Sequence, residues 1–485
     1  MAATPRYETV IGLEVHAQLL THSKMFCGCA TTFGAAPNTQ TCPVCQGMPG
    51  VLPVVNRRAV ELGIRTARAL GCRVTDDCRF ARKHYFYPDM PKNYQISQYE
   101  EPLAVDGWLE VALDGTTHRI GIERLHLEED VGKLTHEGGV FETATASLVD
   151  FNRAGVPLME IVSRPEIMSP AEAAEYLRTL RAILRYLGAC DGNMEEGSLR
   201  CDANVSLRHA GARELGTKVE IKNMNSFRHV QAALEHEVTR QTAVLERGQR
   251  VVQETRLWNP DRGLTLSMRS KEHAHDYRYF PEPDLTPLRP NPAWVAEIDQ
   301  ALPELPHARR SRFVEQYGLP PYDADLLTQD RALADYYEEA VRLHPNPKAL
   351  ANWIMSELLR ELSGEPAGAA ACPVRPAHLA RLVALVDDGT ISGKMAKDVF
   401  ERMARSGETP DALVEREGLR QVVDESALDR IVDQVLAAHP AAVADYRAGK
   451  KQSATFLVGQ VMKATRGKAH PQLVNRLLAE RLPPA

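Results

Sequence analysis

The first half of the chain alternates apolar and polar residues over short runs, whereas the second half repeats apolar residues every three or four positions. Runs such as YETVIGLEVHAQL (7–19) and HRIGIERLHLEED (118–130) show the period of two that is typical of half-buried strands. Helical stretches interrupt them, and SPAEAAEYLRTLRAILRYLG (169–188) begins with a serine cap followed by proline. Because strands and helices mix without a regular rhythm, the pattern predicts an α+β fold around a largely antiparallel sheet.

Two changes of pattern divide the chain. Five prolines fall between Phe280 and Ala293, a density that stiffens the backbone and ends both sheet and helix. A softer break lies at SGETPDALV (406–414), after which the chain stays helical. We therefore predict a sheet-based domain over 1–290, a helical domain over 291–408 and a small helical tail domain over 409–485.

The composition is that of an ordinary folded protein. The 485 residues include 58 Lys and Arg against 64 Asp and Glu, and the net charge of −6 argues against general coating of a polyanion. An apolar run of about 18 residues is missing, and the first residues lack a basic segment followed by an apolar one. The sequence therefore predicts a cytoplasmic protein that neither spans a membrane nor is exported.

The tail differs from the rest of the chain in its charge. Between Arg447 and Ala479 there is no acidic residue, while basic residues recur. A solvated basic face explains this as well as a phosphate-binding surface does, but an excess that persists in a negative chain favours a nucleic-acid partner. Helical spacing also places Phe456, Leu457 and Val461 towards a core. The candidate nucleic-acid contacts are Lys450, Lys451, Lys463, Arg466 and Lys468.

Four of the nine cysteines form a compact group. Cys27, Cys29, Cys42 and Cys45 make a C-x-C and a C-x-x-C pair within nineteen residues. Two close thiolate pairs joined by a loop suit a tetrahedral zinc site, and four thiolates leave no open position for catalysis. Four buried free thiols and a redox pair are the alternatives. The spacing favours a structural zinc ion.

Acidic residues recur on apolar strands. Strand alternation places Glu14 and His16 on one face, and it places Glu128 on one face of its strand with Glu129 on the other. Glu220 lies on a third strand, in KVEIKN (218–223). Such carboxylates indicate either an exposed sheet face or a pocket floor that a divalent ion neutralises. Their recurrence favours a magnesium site.

Two segments combine basic and aromatic residues, RKHYFYPD (82–89) and HDYRYFP (275–281). Both fit core strands with polar edges, and both fit a surface where cations neutralise phosphates while rings stack on a base. The chain has neither a phosphate-binding GxxxxGK[ST] loop nor a dinucleotide fingerprint. Any nucleotide must therefore bind on a sheet surface.

Taken together, the motifs resemble one family along nearly the whole chain. The chain is similar to the B subunit of the tRNA-dependent amidotransferases that convert Glu-tRNA(Gln) or Asp-tRNA(Asn) to the amide form. The segments that carry the resemblance are VIGLEVHAQL (10–19), PGVLPVVN (49–56), RKHYFYPDMPKNYQISQ (82–98), RLHLEED (124–130), DFNRAGVPLMEIV (150–162), MEEGSLRCDANVS (194–206), KVEIKNMNS (218–226), DYRYFPEPDL (276–285) and FLVGQVMK (456–463).

The resemblance implies a cradle-like catalytic domain related to glutamine synthetase, then a helical domain, then a tail that contacts tRNA. It implies that ATP and Mg²⁺ are used to phosphorylate the side-chain carboxylate of the misacylated tRNA. Ammonia from the glutaminase of the complex, its A subunit, then displaces the phosphate, and the small C subunit makes the complex a heterotrimer. A zinc-containing RNA-binding assembly factor without catalysis, or a ligase for free glutamate, are the alternatives.

The resemblance also implies roles for individual residues. It makes Glu14, His16, Glu128 and Glu220 the candidate magnesium ligands. It makes Glu129 a candidate carboxylate behind those ligands. Lys83 and Arg200 are the candidate phosphate contacts. Some members of the family lack the four cysteines, so zinc is expected here but is expected to be dispensable for the reaction.

Overall fold

The computed structural model describes residues 6–137, 146–268, 276–362, 372–420, 425–448, 450–465, 469 and 471–482. The chain forms two compact units, Met1–Leu305 and Pro306–Ala485. Within the described ranges, no helix is long and apolar enough to cross a membrane. Arg466 and Lys468, two of the candidate nucleic-acid contacts, lie outside these ranges.

All strands of the described residues lie in the first unit. In chain order they are β1 (Tyr7–Gln18), β2 (Arg73–Val74), β3 (Ala81–His84), β4 (Tyr94–Ser97), β5 (Ala104–Leu113), β6 (Thr116–Glu129), β7 (Lys133–His136), β8 (Ser147–Asp150), β9 (Pro157–Ser163), β10 (Leu199–His209), β11 (Val219–Met224), β12 (Thr255–Asn259), β13 (Leu264–Ser267) and β14 (Phe280–Pro281).

Within the described ranges, four helices belong to the same unit. They are α1 (Arg57–Ala69), α2 (Pro170–Tyr186), α3 (Phe227–Glu246) and α4 (Pro292–Gln300). The predicted start of α2 is confirmed, because the Ser169 hydroxyl accepts a hydrogen bond from the Glu172 backbone N–H at 3.1 Å. Helix α4 packs on α1, and Arg68 pairs with Asp299 at 2.8 Å. The compact unit thus continues past the proline-rich segment.

Nine strands of the described residues form the main sheet, in the order β13-β12-β11-β10-β1-β9-β6-β5-β2. Neighbouring strands are antiparallel except for β11 and β12, which are parallel. Strands β14, β3 and β4 form a second, three-stranded sheet, and β7 pairs with β8. The predicted α+β class and the largely antiparallel sheet are therefore confirmed.

The main sheet has one apolar and one polar face. On β1, Leu13, Val15 and Ala17 are fully buried in the core that also holds apolar residues of α1, α2 and α3. The intervening residues Glu14 and His16 point to the opposite face and are half-buried. The alternation seen in the sequence therefore separates the hydrophobic core from the polar face.

The second unit is helical in all its described elements. They are α5 (Pro306–Tyr317), α6 (Pro321–Thr328), α7 (Arg331–Leu343), α8 (Pro347–Trp353), a π-helical turn (Ile354–Leu358), α9 (Leu359–Glu361), α10 (Pro376–Asp387), α11 (Gly393–Ser406), α12 (Pro410–Arg416), α13 (Glu425–Ala438), α14 (Pro440–Arg447), α15 (Lys451–Ala464) and α16 (Pro471–Arg481).

Two separate apolar clusters stabilise this unit. One lies between Phe313 and Val414, and the other between Leu428 and Leu482. Leu457 and Val461 are fully buried in the second cluster, as predicted, but Phe456 is 46% exposed, so its predicted core position is wrong. Successive helical residues point about 100° apart, and Phe456 turns away from Leu457 to contact the His439 ring, with centroids 5.3 Å apart.

Candidate functional site

A cluster of carboxylates and imidazoles lies on the polar face of the main sheet. Antiparallel pairing places His16 of β1 and His126 of β6 on either side of Glu160 of β9. The Glu160 Oε2 atom lies 3.4 Å from His16 Nε2 and 3.2 Å from His126 Nε2. Three adjacent strands thus bring together residues that are far apart in the sequence.

Glu128 completes this cluster from the same strand as His126. Its carboxylate lies 3.9 Å from His16 Nε2 and accepts a hydrogen bond from the Ser97 hydroxyl at 2.9 Å. One ligand atom from each of His16, Glu128 and Glu160 lies within 4.8 Å of the other two. Two carboxylates and an imidazole at that separation form a donor set that fits one divalent cation.

Glu14 and Glu220 extend the same face towards the other edge of the sheet. Asn204 Nδ2 donates to Glu14 Oε1 at 3.1 Å, and Asn204 stands opposite Glu220 in the β10–β11 pairing. Lys222 Nζ lies between Asp202, at 2.8 Å, and Glu220, at 3.1 Å. The four predicted magnesium residues therefore share one face, with His16 and Glu128 in the tight cluster and the other two beside it.

The electrostatics of the cluster follow from burial and like charge. Burial disfavours the charged form of His126, but Glu160 and Glu128 outweigh burial and raise its pKa to about 9. The same carboxylates raise the pKa of His16 against burial. At Glu14, burial and repulsion by the surrounding carboxylates both raise the pKa. The polar face thus holds concentrated negative charge that positive groups must balance.

Two predicted phosphate contacts lie at the border of this face. Arg200 stands opposite His16 and makes two hydrogen bonds to Asp130, at 2.9 and 3.0 Å. Burial acts to lower the pKa of Lys83, but the charges of Glu128 and its neighbours outweigh burial and raise it. Both cations therefore stay charged beside the acidic cluster.

Glu129 occupies a different position from the other predicted acids. Its carboxylate accepts a hydrogen bond from the Ile96 backbone N–H at 2.9 Å and pairs with Lys92. Glu129 therefore makes its contacts on the face of β6 opposite to that of Glu128. Gln95 also donates to the Glu129 backbone oxygen at 2.6 Å. The structure therefore separates Glu129 from the cluster by one strand position, as the alternation predicts.

Sequence reasoning did not select Glu160 or His126 as site residues. Glu160 lies in PLMEIVS, whose seven residues are all buried, so the segment has the pattern of a core strand. The signal that could have identified Glu160 is its isolation: a single glutamate in a fully buried strand needs a charged or hydrogen-bonding partner. Strand β10 begins only at Leu199, and Glu195 lies in the preceding turn, away from the cluster strands.

The four cysteines of the predicted zinc site converge. The Sγ atoms of Cys27, Cys29, Cys42 and Cys45 lie within 4.8 Å of one another. A tetrahedral zinc site with bonds of about 2.3 Å needs sulfurs about 3.8 Å apart, so this group fits the ion after small side-chain rotations. Lys24 is fully buried, and its Nζ lies 3.6 Å from Cys45 Sγ.

The lysine at the edge of this cysteine group changes its charge balance. A hydrogen bond from the Cys27 thiol, helped by the nearby ammonium of Lys24, lowers the pKa of Cys45. Apart from Cys45, the Lys24 Nζ contacts the Phe151 backbone oxygen at 3.1 Å. A buried ammonium requires negative charge nearby, and the four thiolates would supply it if they held a zinc ion.

The candidate tail contacts are only partly described. Lys463 is exposed near the end of α15, and Lys450 pairs with Asp445 at 2.9 Å on the surface. Lys451 begins α15, but its side chain is outside the described part of the chain. Of the candidate contacts that the structure describes, Lys463 is therefore the one that stands unpaired on the outside of the tail.

Comparisons with known proteins agree with the resemblance in the sequence. Residues 9–296 match the family model of the GatB/GatE catalytic domain, and residues 335–482 match that of the GatB domain. Three relatives are named as the B subunit of an aspartyl/glutamyl-tRNA(Asn/Gln) amidotransferase. The protein of Carboxydothermus hydrogenoformans is 57% identical over 476 residues, which cover 98% of this chain and 99% of the relative.

The other two relatives match to a similar extent. The protein of Moorella thermoacetica is 57% identical over 476 residues, covering 98% of this chain and 100% of the relative. The protein of Thermodesulfovibrio yellowstonii is 55% identical over 473 residues, covering 98% of each. Identity at this level along both units shows that the chain belongs to the family of aspartyl/glutamyl-tRNA(Asn/Gln) amidotransferase B subunits.

Proposed function

We propose that this chain is the kinase and amidating component of a tRNA-dependent amidotransferase. It uses ATP to phosphorylate the side-chain carboxylate of Glu-tRNA(Gln) or Asp-tRNA(Asn), and ammonia then converts the product to the amide. Family membership at more than half identity supports this role. A noncatalytic RNA-binding assembly factor is not favoured, because the matched catalytic domain covers residues 9–296.

The chemistry requires two displacements. A side-chain carboxylate oxygen attacks the γ-phosphorus of ATP, the bond to the bridging oxygen breaks, and ADP leaves. The nitrogen of ammonia then attacks the acyl carbon, phosphate leaves with the electrons of the carbon–oxygen bond, and loss of protons gives the amide. Phosphoryl transfer depends mainly on positioning and charge neutralisation.

The observation that carries the proposal is the convergence of acidic and imidazole groups from three strands on one sheet face. His16, Glu128 and Glu160 provide the donor set for Mg²⁺, and Glu14 and Glu220 add negative charge along the same face. A magnesium ion held by these residues would supply positive charge to the phosphate oxygens. Lys83 and Arg200 stand at its border and supply the remaining positive charge.

Other parts of the assignment follow the family. A glutaminase, the A subunit of the complex, joins this chain and the small C subunit in a cytoplasmic heterotrimer, and the sheet unit forms a cradle of the glutamine synthetase kind. The four cysteines would hold a structural zinc ion. The basic tail, with Lys450, Lys451, Lys463, Arg466 and Lys468, contacts the phosphates of tRNA, for which the exposed Lys463 side chain is the support among the described residues.

Aminoacyl-tRNA-dependent ATP hydrolysis by the heterotrimer tests this function. We expect Glu128→Gln and Glu160→Gln each to lower turnover by at least about a hundredfold, because each removes charge that binds the cation. The matched control is Glu123→Gln, an exposed carboxylate on the same strand as Glu128. Full turnover in both cluster variants contradicts the assignment of the cation site. ATP hydrolysis that responds equally to free glutamate contradicts the assignment of aminoacyl-tRNA as the substrate.

A further inference from the structure

The three-stranded sheet places Tyr279 beside the acidic cluster. Phe280 pairs with Arg82 and Pro281 with Ala81, so continuing the antiparallel register places Tyr279 opposite Lys83. The His84 backbone N–H donates to the Tyr277 backbone oxygen at 3.0 Å and not to that of Arg278, whose φ is +47°, so the register shifts by one residue only after Tyr279. Tyr279 is therefore the cross-strand neighbour of Lys83, which is a predicted phosphate contact.

The same face of this sheet meets the strand that carries Glu128. Lys83 pairs with Gln95 of β4, and Ser97, two residues further along β4, donates its hydroxyl to Glu128 at 2.9 Å. Residues two apart on a strand point to the same side. Tyr279, Lys83 and Gln95 thus form one row whose side chains face the acidic cluster.

The Tyr279 ring is held firmly, whereas its hydroxyl is not engaged. The ring stacks on that of Tyr99 with centroids 4.3 Å apart and planes 8° apart, and Tyr277 contacts its edge at 6.1 Å. No hydrogen bond joins the Tyr279 hydroxyl to any residue that the structure describes. A positioned donor of this kind is available to a ligand.

Burial keeps the Tyr279 hydroxyl protonated. Burial raises the pKa of Tyr279 to about 12, and the carboxylates of Glu128 and Glu160 act in the same direction while Lys83 acts against them. These three groups are the ones that border the proposed reaction site. At neutral pH the phenol is therefore a hydrogen-bond donor and not an anion.

We propose that Tyr279 is a catalytic residue of the phosphoryl-transfer step. Its hydroxyl donates a hydrogen bond to an anionic oxygen of the reacting carboxyl–phosphoryl group, beside the ammonium of Lys83. This inference rests on the proposed function, since it names a group that acts within that site. A hydrogen bond to a charged oxygen is stronger than one between neutral groups, and it is strongest where solvent is excluded.

Two variants that each remove one hydroxyl from the same ring pair test the assignment. Tyr279→Phe keeps the stack with Tyr99, and Tyr99→Phe removes the hydroxyl of the ring that is 53% exposed. In the heterotrimer we expect Tyr279→Phe to lower kcat for Glu-tRNA(Gln)-dependent ATP hydrolysis by about ten- to a hundredfold. We expect Tyr99→Phe to leave kcat unchanged, and both variants to keep the wild-type Tm.

The outcomes separate this inference from the function on which it rests. A wild-type complex without aminoacyl-tRNA-dependent hydrolysis overturns the proposed function. An active wild type together with a fully active Tyr279→Phe variant overturns the role of Tyr279 alone. Equal losses in the two variants also overturn it, because the stacked ring and not the hydroxyl is then what matters. A rise in KM with kcat unchanged does so as well, since the hydroxyl then contributes only to substrate binding.

Discussion

The buried pair of Asp130 and Arg200 gives the most quantitative test of how the polar face is built. Asp130 is 2% exposed, and its carboxylate accepts two hydrogen bonds from Arg200 and one from Gln18 at 2.7 Å. Asp130→Asn removes the charge while preserving the size of the side chain. It leaves the Arg200 guanidinium without its main partner beside the cluster.

The expected loss of stability follows from this geometry. Breaking a buried ion pair by removing one partner costs about 3–5 kcal/mol, and the lower value applies because a third of the Arg200 side chain is exposed. Burial acts to raise the pKa of Asp130, but Arg200 and Arg153 outweigh it and lower it. The contribution of this pair to the free energy of unfolding is therefore present above about pH 4, the pKa of Asp130 in the unfolded chain. It is lost as the pH falls from there through the lower pKa of the folded protein.

Urea unfolding at pH 7, followed by tryptophan fluorescence, measures this loss. Three of the four tryptophans, Trp108, Trp258 and Trp294, lie in the first unit, so the signal reports mainly on the sheet. In a double-mutant cycle with Arg200→Gln we expect the two losses to overlap by about 2 kcal/mol. A double variant that loses the sum of the two single losses would refute the pairing.

Two further predictions concern other parts of the chain. Lys24→Met removes the ammonium beside Cys45, so we expect a chelator to remove zinc about tenfold faster. The control is Lys133→Met, which changes an exposed lysine. An unchanged rate of zinc release in Lys24→Met would contradict this prediction. Although burial acts to raise it, Arg312 and Arg309 lower the pKa of Glu338 to about 2. The Tm of the helical unit should therefore fall as pH drops from about 4.5 towards 2, and this fall should become smaller in Glu338→Gln; an equal fall in the variant would contradict it.

Local patterns predicted the elements of this fold well. The serine cap and proline of 169–170 mark the start of α2 because capping depends only on neighbouring backbone groups. The alternation of 7–19 places Glu14 and His16 on the polar face for the same reason, since side-chain direction on a strand is a local property. The cysteine spacing likewise brings four thiols together within one loop region.

The centre of the site depends on pairing over long distances, which local patterns do not contain. Glu160 lies between His16 and His126 only because β9 is inserted between β1 and β6. No spacing within 157–163 encodes that strand order. Tyr279 similarly meets Lys83 through a pairing of β14 with β3 that joins segments nearly 200 residues apart.

The central claim is that one divalent cation binds at the meeting point of β1, β6 and β9. Crystals of the heterotrimer grown with an ATP analogue and Mn²⁺ in place of Mg²⁺ test it directly, because manganese gives an anomalous signal. We predict an anomalous peak within bonding distance of His16, Glu128 and Glu160. A manganese peak found only elsewhere in the chain, with these three side chains in contact only with other protein groups, would contradict the account.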